Sequence, residues 1–545
     1  MIINLYELTL TLDTSGAVSA PESRGPGSAL NAALPVARDH TGRPAVPATS
    51  LAGSLSAHTA AHGGPDKVLF LFGGTRQETD PDDPTRPRTI AVASPVRFLG
   101  TRTRLPDTAP TTVHYTRNAI DRQRAAPAPH ALFTRELLPP GTEITLWLRL
   151  DTDPVAPAPA PAPSAAERAD AHEHSVRSAR ERAEALERLL ATWRPVIGGS
   201  RSTGHGRARL TAARRRTLDL TDPADRRHWL LTGGEALYDN AQDITAHLLL
   251  HSDNHREDSP GLNGQENSTA QNAGDLLLLG RVLAFDVVDA LHIGTGLTSQ
   301  EGRGTTDAAL LQRDHRSRPV IPGSTWKGLL RSRCEFILRS LGETACPPPN
   351  TQTPDPHETG AEQADEQGEK QQCQGVCRIC RAFGHTAGRG RLVFLDSPLL
   401  THDTTRPGPD GIPARVTRRN HVALDRITAG AAAGLLYTHE VVEQARAELR
   451  ILDEPPDPAN APPMDELFLD VLRLALYDLH TGALGIGHAT TRGYGTLRGA
   501  DDGTHTSPST ADHLDTAARQ ARARIGRTLF AHSSSTTAPE PEPAS

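Results

Sequence analysis

The chain has 545 residues, 37% of them hydrophobic and only 4% aromatic, with 46 glycines, 44 prolines and a formal net charge of −7. That length calls for roughly three or four domains, or two large ones with linkers, and that composition leaves too little apolar material to bury the whole chain. Coiled coil, collagen and a membrane bundle are excluded: the best apolar run, Leu276 to Val288, is broken by Arg281 and Asp286 and falls short of the ~18 residues a membrane span needs.

In chain order, the first element predicted is a strand from Ile2 to Leu12. Ile2, Tyr6, Leu8, Leu10 and Leu12 fall on one side and Glu7, Thr9 and Thr11 on the other, the alternation of a half-buried strand. A secretory signal would instead need a basic start and a continuous apolar stretch. Ala156 to Pro163 reads APAPAPAP, an extended spacer. Ser164 to Trp193 follows as a long helix, with Ser164 as cap and Glu167 three residues on. Ser252 to Gly274 is polar and Asn- and Gly-rich, a linker.

A helix is predicted over 324–341, where Trp326, Leu329, Leu330, Phe336 and Ile337 recur near a 3.6 period. Pro347 to Gln372 is an acidic insert, followed by a strand at Arg391–Leu395 and a helix at Met464–His480. Beyond Gly499 the composition predicts disorder. Six acids and one base lie between Asp355 and Lys370, so most of the net negative charge is local and does not exclude a nucleic-acid partner.

Two stretches repeat one another. Arg38-Asp39, Pro44 and Pro47 match Arg313-Asp314, Pro319 and Pro322 at the same spacing. Phe72-Gly73 matches Phe383-Gly384, and Ser94-Pro95 matches Ser397-Pro398. Asp121-Arg122 precedes Glu136 as Asp425-Arg426 precedes Glu440, and Gly204-His-Gly206 matches Gly493-Tyr-Gly495. Landmarks in one order imply two copies of one module, 1–220 and 275–500, with a linker at 221–274 and a disordered tail at 501–545. The order strand, helix, strands, helix, strand predicts an α+β fold of two tandem ferredoxin-like (RRM-like) modules with loop insertions.

Three clusters carry chemistry. Ser324, Lys327 and Arg331 share one face of a helix start, where free N–H groups and a positive dipole suit a phosphate; a capped, solvated helix is the bland alternative. The first copy keeps Ser50 but has Ala52 in place of Lys327, a weaker grip. The loops around Gly204, Gly206 and Arg207, and around Arg492, Gly493, Tyr494 and Gly495, allow close backbone approach, with Arg and Tyr to clamp phosphates or stack on bases; tight turns are the alternative. There are five cysteines, an odd count. Cys346, Cys373, Cys377 and Cys380 can close a tetrahedral structural zinc site, with His385 as a substitute for Cys346; a redox pair is the alternative. Cys334 is expected to pack as a small apolar residue. This cysteine usage suits a reducing, cytoplasmic setting.

The run His292-Ile-Gly-Thr-Gly, then Gly304-Thr-Thr-Asp307, Arg313-Asp314 and Pro322-Gly-Ser-Thr-Trp-Lys-Gly-Leu-Leu-Arg331 resembles the signature of the RAMP superfamily. In particular it is similar to the Cas-seven-type backbone subunit of type III CRISPR effector complexes. The resemblance covers most of 280–500 and is looser in the first copy, so the chain looks like a fusion of two backbone subunits. It implies ferredoxin-like modules stacked along a guide RNA (crRNA), target RNA and other effector subunits as partners, and a hairpin thumb, with Leu435, Leu436 and Tyr437 as thumb or core residues. It also implies a target-cutting loop aspartate, here Asp307, working with a divalent cation such as Mg²⁺. The first copy has Asn31-Ala32-Ala33-Leu34 in the aligned stretch and no carboxylate. A non-enzymatic crRNA-binding scaffold is the rival reading. A guide-processing ribonuclease would need His205 or His488.

Overall fold

The computed structural model describes residues 1–20, 34–79, 87–121, 126–151, 165–253, 279–299, 308–346, 377–385, 388–402, 411–425, 427–428, 430–457, 461–501 and 509–533. Its first half runs β1 (Ile2–Leu12), α1 (Ala48–Phe72), β2 (Val96–Arg104), the hairpin β3 (Val113–Asp121) and β4 (Ala126–Leu137), β5 (Glu143–Asp151), α2 (Ala165–Thr192) and β6 (Ala208–Asp219). Strands β2-β5-β1-β6 lie side by side, every pair antiparallel.

The second half repeats this as β7 (Val282–Val287), α3 (Gly323–Ser340), α4 (Arg378–Phe383), β8 (Ser397–Thr401), the hairpin β9 (Val416–Leu424) and β10 (Ala431–Glu443), β11 (Ala445–Asp453), α5 (Glu466–His480) and β12 (Leu497–Gly499). The order is β8-β11-β7-β12, again antiparallel. Each half is thus a ferredoxin-like module, with its helices packed on one face of a four-stranded antiparallel path.

The helices follow from their spacing. In α5, Phe468, Val471, Leu472, Ala475, Leu476 and Leu479 are all buried, one stripe at intervals of three and four. Asp465 caps the helix by accepting from the Phe468 N–H at 2.9 Å. The stripe meets Phe285, Trp326, Leu330 and Phe394 in the second core. Trp326 is fully buried and its indole N–H donates to Ser397 Oγ at 2.9 Å. The first core sets Tyr6, Leu8, Leu10 and Leu12 of β1 against Leu186 and Leu190 of α2 and Trp193 just after it.

Helix α1 corresponds to α3 and α4 together. It turns through Gly64 (φ 73°) and Pro65 near where the second copy carries the cysteine-bearing insert. Both routes end alike, with the Gly73 N–H on Leu69 O and the Gly384 N–H on Cys380 O.

Three expectations are corrected. Strand β1 is not half-buried along its length: Ile3 and Leu5 on its second face are covered by Leu218 and Tyr238, because the turn at Gly234–Tyr238 folds back across it. The linker expected at 221–274 is folded up to Asp253. It forms helices at Pro223–Leu231 and Thr245–Asp253, and Ile244 and Leu248 join the first core. Of the tail expected to be disordered, α6 (Thr510–Ser533) is helical, and Leu514 and Ala517 enter the second core. In both places a short apolar stripe in a polar sequence finds a core edge that periodicity alone does not reveal. The proposed cap Ser164 lies outside the described residues.

Candidate functional site

The repeat is clearest in its hydrogen bonds. Glu136 and Glu440, both buried, occupy the same place in the two modules. Glu136 accepts from Arg38 at 2.6 Å and from the Val36 N–H at 2.9 Å; Glu440 accepts from Arg313 at 3.3 Å and from the Leu311 N–H at 3.2 Å. Asp39 and Asp314 each close a turn by accepting two backbone N–H groups, at positions +2 and +4. Each brace ties the base of a hairpin, β3–β4 or β9–β10, to the strand leading into the first helix. At the tip of β9–β10, Asp425 accepts from the Ile427 and Thr428 N–H groups. Leu436 is exposed and Tyr437 half-buried; the Leu435 side chain, Arg122 and Arg426 lie outside the described residues.

The glycine loops share one backbone. Gly204, Gly206, Gly493 and Gly495 all have φ between 72° and 89°, the left-handed region that glycine tolerates. The Gly206 N–H donates to Ser15 O and the Gly495 N–H to Ala290 O. The surroundings differ. In the first module Thr203, Gly204 and His205 are buried, whereas Arg492 and Gly493 are exposed and only Tyr494 is covered.

The cause is the junction between the copies, because the first loop seats on the start of α3. Lys327 Nζ donates to Ser202 Oγ at 2.8 Å, and Arg207 pairs with Glu454 at 2.5 Å. A Cβ on Gly323 would come within 3.0 Å of Thr203 O. A cavity of about 300 Å³ remains between the copies, lined among others by Tyr115, His205, Asp314, Arg318 and Asp396.

This placement revises the expected phosphate grip at α3. The N–H of Gly323 donates to Asp396 Oδ1 at 2.7 Å, so a carboxylate of the same module already occupies the positive helix end. Ser324 stands beside it. Burial first, then the Arg331 charge, lower the Lys327 ammonium to about 8. Arg331 turns inward to Glu335 Oε1 and Gly384 O, both at 2.9 Å. At α1 the Ser50 N–H bonds Pro47 O, and no side chain caps the helix. Arg492 instead faces outward, its guanidinium on the Tyr437 hydroxyl and 5.8 Å from that ring.

Three of the four expected metal ligands converge. The sulfurs of Cys346, Cys377 and Cys380 lie within 4.8 Å of one another, with Cys346 3.5 Å from Cys377 and 3.6 Å from Cys380. Thiolates ~2.3 Å from a tetrahedral zinc stand about 3.8 Å apart, so the spacing fits. Arg331 Nη2, 3.8 Å from Cys380 Sγ, would offset thiolate charge. Cys373 lies outside the described residues, and His385 does not belong to this group. Cys334 packs in the core, and burial pushes its thiol up.

Sequence reasoning missed one cluster. At the base of β9–β10, His292, His421, His439 and His488 form a network with Tyr437 and Tyr494, neighbouring ring centroids 5.0–5.9 Å apart. Burial first, and neighbouring charges after it, bring His439 down to about 4. His292, His421 and His488 are lowered too, burial again leading. Near neutral pH these are uncharged rings, suited to stacking and to hydrogen bonding. His421 and His439 sit on facing strands, so nothing in their sequence spacing announces the pair. In the first module the same pairing sites hold Arg117 and Arg135, and His205 there is buried on Ser15 O. Asp307 is outside the described residues; the strand Ala308–Leu311 that follows runs beside β10, with Ala309 opposite His439.

Among the described residues no helix is long and apolar enough to cross a membrane. No curated protein matches the chain. The family model described as the RAMP superfamily matches residues 22–209 and 284–498, most of the chain and one region in each module. With two ferredoxin-like modules built on the same braces and glycine turns, the chain belongs to the RAMP superfamily, as a tandem of two such modules.

Proposed function

We propose that this chain is a guide-RNA-binding backbone subunit of a type III CRISPR effector complex, working in the cytoplasm with crRNA, target RNA and other effector subunits. RAMP membership supports a CRISPR-associated RNA-binding role. The observation that carries the finer reading is the contrast between the copies. The second module presents Arg492 and Gly493 beside the half-buried rings of His421 and Tyr437 and the exposed His488, whereas the first buries its equivalent loop. Uncharged rings and an outward guanidinium suit bases and phosphates.

Target cleavage is assigned to the second module. Asp307 directly precedes the strand paired with β10, and the first module lacks a carboxylate at Asn31-Ala32-Ala33-Leu34. A divalent cation at Asp307 would help a 2′-hydroxyl attack the adjoining phosphate. The cysteine cluster is proposed to hold a structural zinc, with Cys373 as fourth ligand.

The test is Asp307→Ala in the intact complex. Loss of target cutting with guide RNA still bound supports the assignment. Unchanged cutting transfers the chemistry elsewhere and leaves a non-enzymatic scaffold. Sequencing the co-purified RNA tests the binding itself: short RNAs sharing a repeat-derived end are expected, and an intact complex without RNA overturns the proposal.

A further inference from the structure

The cavity at the junction is built by both modules. Tyr115 and Pro140 come from the first, and Val320, Leu395 and Leu400 from the second, so most of its wall is apolar. Its volume, about 300 Å³, reaches the ~300–1,000 Å³ of small-molecule sites, and such sites favour the joints between domains.

Four carboxylates line this space: Asp13, Asp314, Asp396 and Glu448. Three of them are already paired. Asp13 pairs with Arg209, Asp314 with Arg318 at 2.8 Å and Glu448 with Arg450 at 3.0 Å. Asp396 differs. Its Oδ1 accepts the Gly323 N–H at 2.7 Å, and among the described residues no hydrogen bond or ion pair reaches its Oδ2. That oxygen is not sealed inside the protein either. Arg117 feels the Asp396 charge but turns its guanidinium to His205. Burial is the leading cause that lowers both His205 and His315. Near neutral pH these lining rings are uncharged and supply no counter-charge.

A half-buried carboxylate among apolar walls gains most from a cation that donates a hydrogen bond. An ammonium group does both. Its methylene body can lie against Leu395 and Leu400, and the Tyr115 ring face attracts the same charge. An anion would meet Asp396 unshielded, because Arg318 and Arg450 are each held by a carboxylate. A neutral molecule would leave the charge unpaired.

We infer that the cavity between the modules is a binding site for a small aliphatic amine in its ammonium form, held by Asp396 of the second module beside Tyr115 of the first. The inference needs neither bound RNA nor a catalytic Asp307, so its failure is separable from that of the proposed function.

The test is calorimetric titration of putrescine into the RNA-free full chain, with butanediol as the uncharged analogue of the same length. One putrescine per chain should bind, and butanediol should not. Asp396→Asn keeps an oxygen for the Gly323 N–H and removes the charge; it should weaken binding about tenfold or more. Leu400→Phe leaves every charge in place and fills the space, and it should weaken binding too. Thermal unfolding establishes that each variant is folded, and either folded variant carries the test alone. Absence of binding to wild type overturns the inference. So does binding that a folded variant leaves unchanged, or butanediol binding as tightly as putrescine.

Discussion

The loops around Gly204 and Gly493 have the same backbone and opposite environments. Both follow a residue in the left-handed region, Ser200 or Ala489, and both run through a short 3₁₀ turn into paired glycines. Yet Gly204 is packed against Leu395 and Phe394 of the second module while Gly493 stands open. Backbone geometry here belongs to the module and repeats with it. What the loop touches belongs to the position of the module in the chain, and the side chains have diverged accordingly: Thr203 and His205 on the covered loop, Arg492 and Tyr494 on the open one.

Glycine substitutions separate these two contributions and carry the largest expected effect. A Cβ at Gly206 would lie 2.0 Å from Ile197 O, and one at Gly495 1.8 Å from Ile486 O. Gly206→Ala and Gly495→Ala should therefore each destabilise their module by roughly 3 kcal/mol or more in urea unfolding. Gly493→Ala has open space and only the φ penalty, about 1 kcal/mol. Gly204→Ala adds a 2.7 Å approach to Leu395 Cδ2, so it should cost more than Gly493→Ala. Equal effects for these last two would remove the distinction drawn between covered and open loops.

The glutamate braces probe what the modules share. Glu136→Ala leaves the Val36 N–H and Arg38 without their carboxylate, and a loss of about 2–4 kcal/mol is expected. Glu440→Ala should cost a similar amount in the second module. Burial raises the Glu136 carboxyl, but hydrogen bonds from Thr112, Val36 and Arg38 outweigh it and hold it below its ordinary value. Its contribution is therefore present above the unfolded-state value and lost as pH falls through the folded one. Glu136→Gln should flatten that acid-side loss in unfolding measured as a function of pH.

Metal removal should distinguish the copies by affecting one of them. One zinc per chain is expected by elemental analysis, lost in Cys377→Ser. Chelation should lower the unfolding midpoint of the second module and leave the first unchanged. Equal loss in both would disconnect the cysteine cluster from its module.

The smallest effect is at the junction. Lys327 titrates near 8 when folded, below its ordinary value, so the unfolded chain binds more protons between the two. Stability should rise with pH across that window, and Lys327→Met should remove the slope.

Much of this molecule was legible in the chain itself. Repeat landmarks such as Arg38-Asp39 and Arg313-Asp314 are conserved between the copies because each closes a turn and braces a hairpin, and such local demands leave a trace at fixed spacing. The glycine pairs are legible for the same reason, since a left-handed turn against a neighbouring carbonyl selects one residue type. The CxxC motif marked the cysteine cluster through ligand-like spacing on a short helix, and the helices at 323–340 and 466–480 were legible from their apolar period. Tertiary structure alone decided which surfaces of these repeated parts remain open. Asp396 takes the end of α3, Arg331 reaches Gly384 O, and His421 meets His439 across a hairpin. These partners are 73 residues apart, 53 residues apart, and on facing strands. Which partner a side chain takes depends on the elements folding brings beside it, a choice that sequence spacing does not encode.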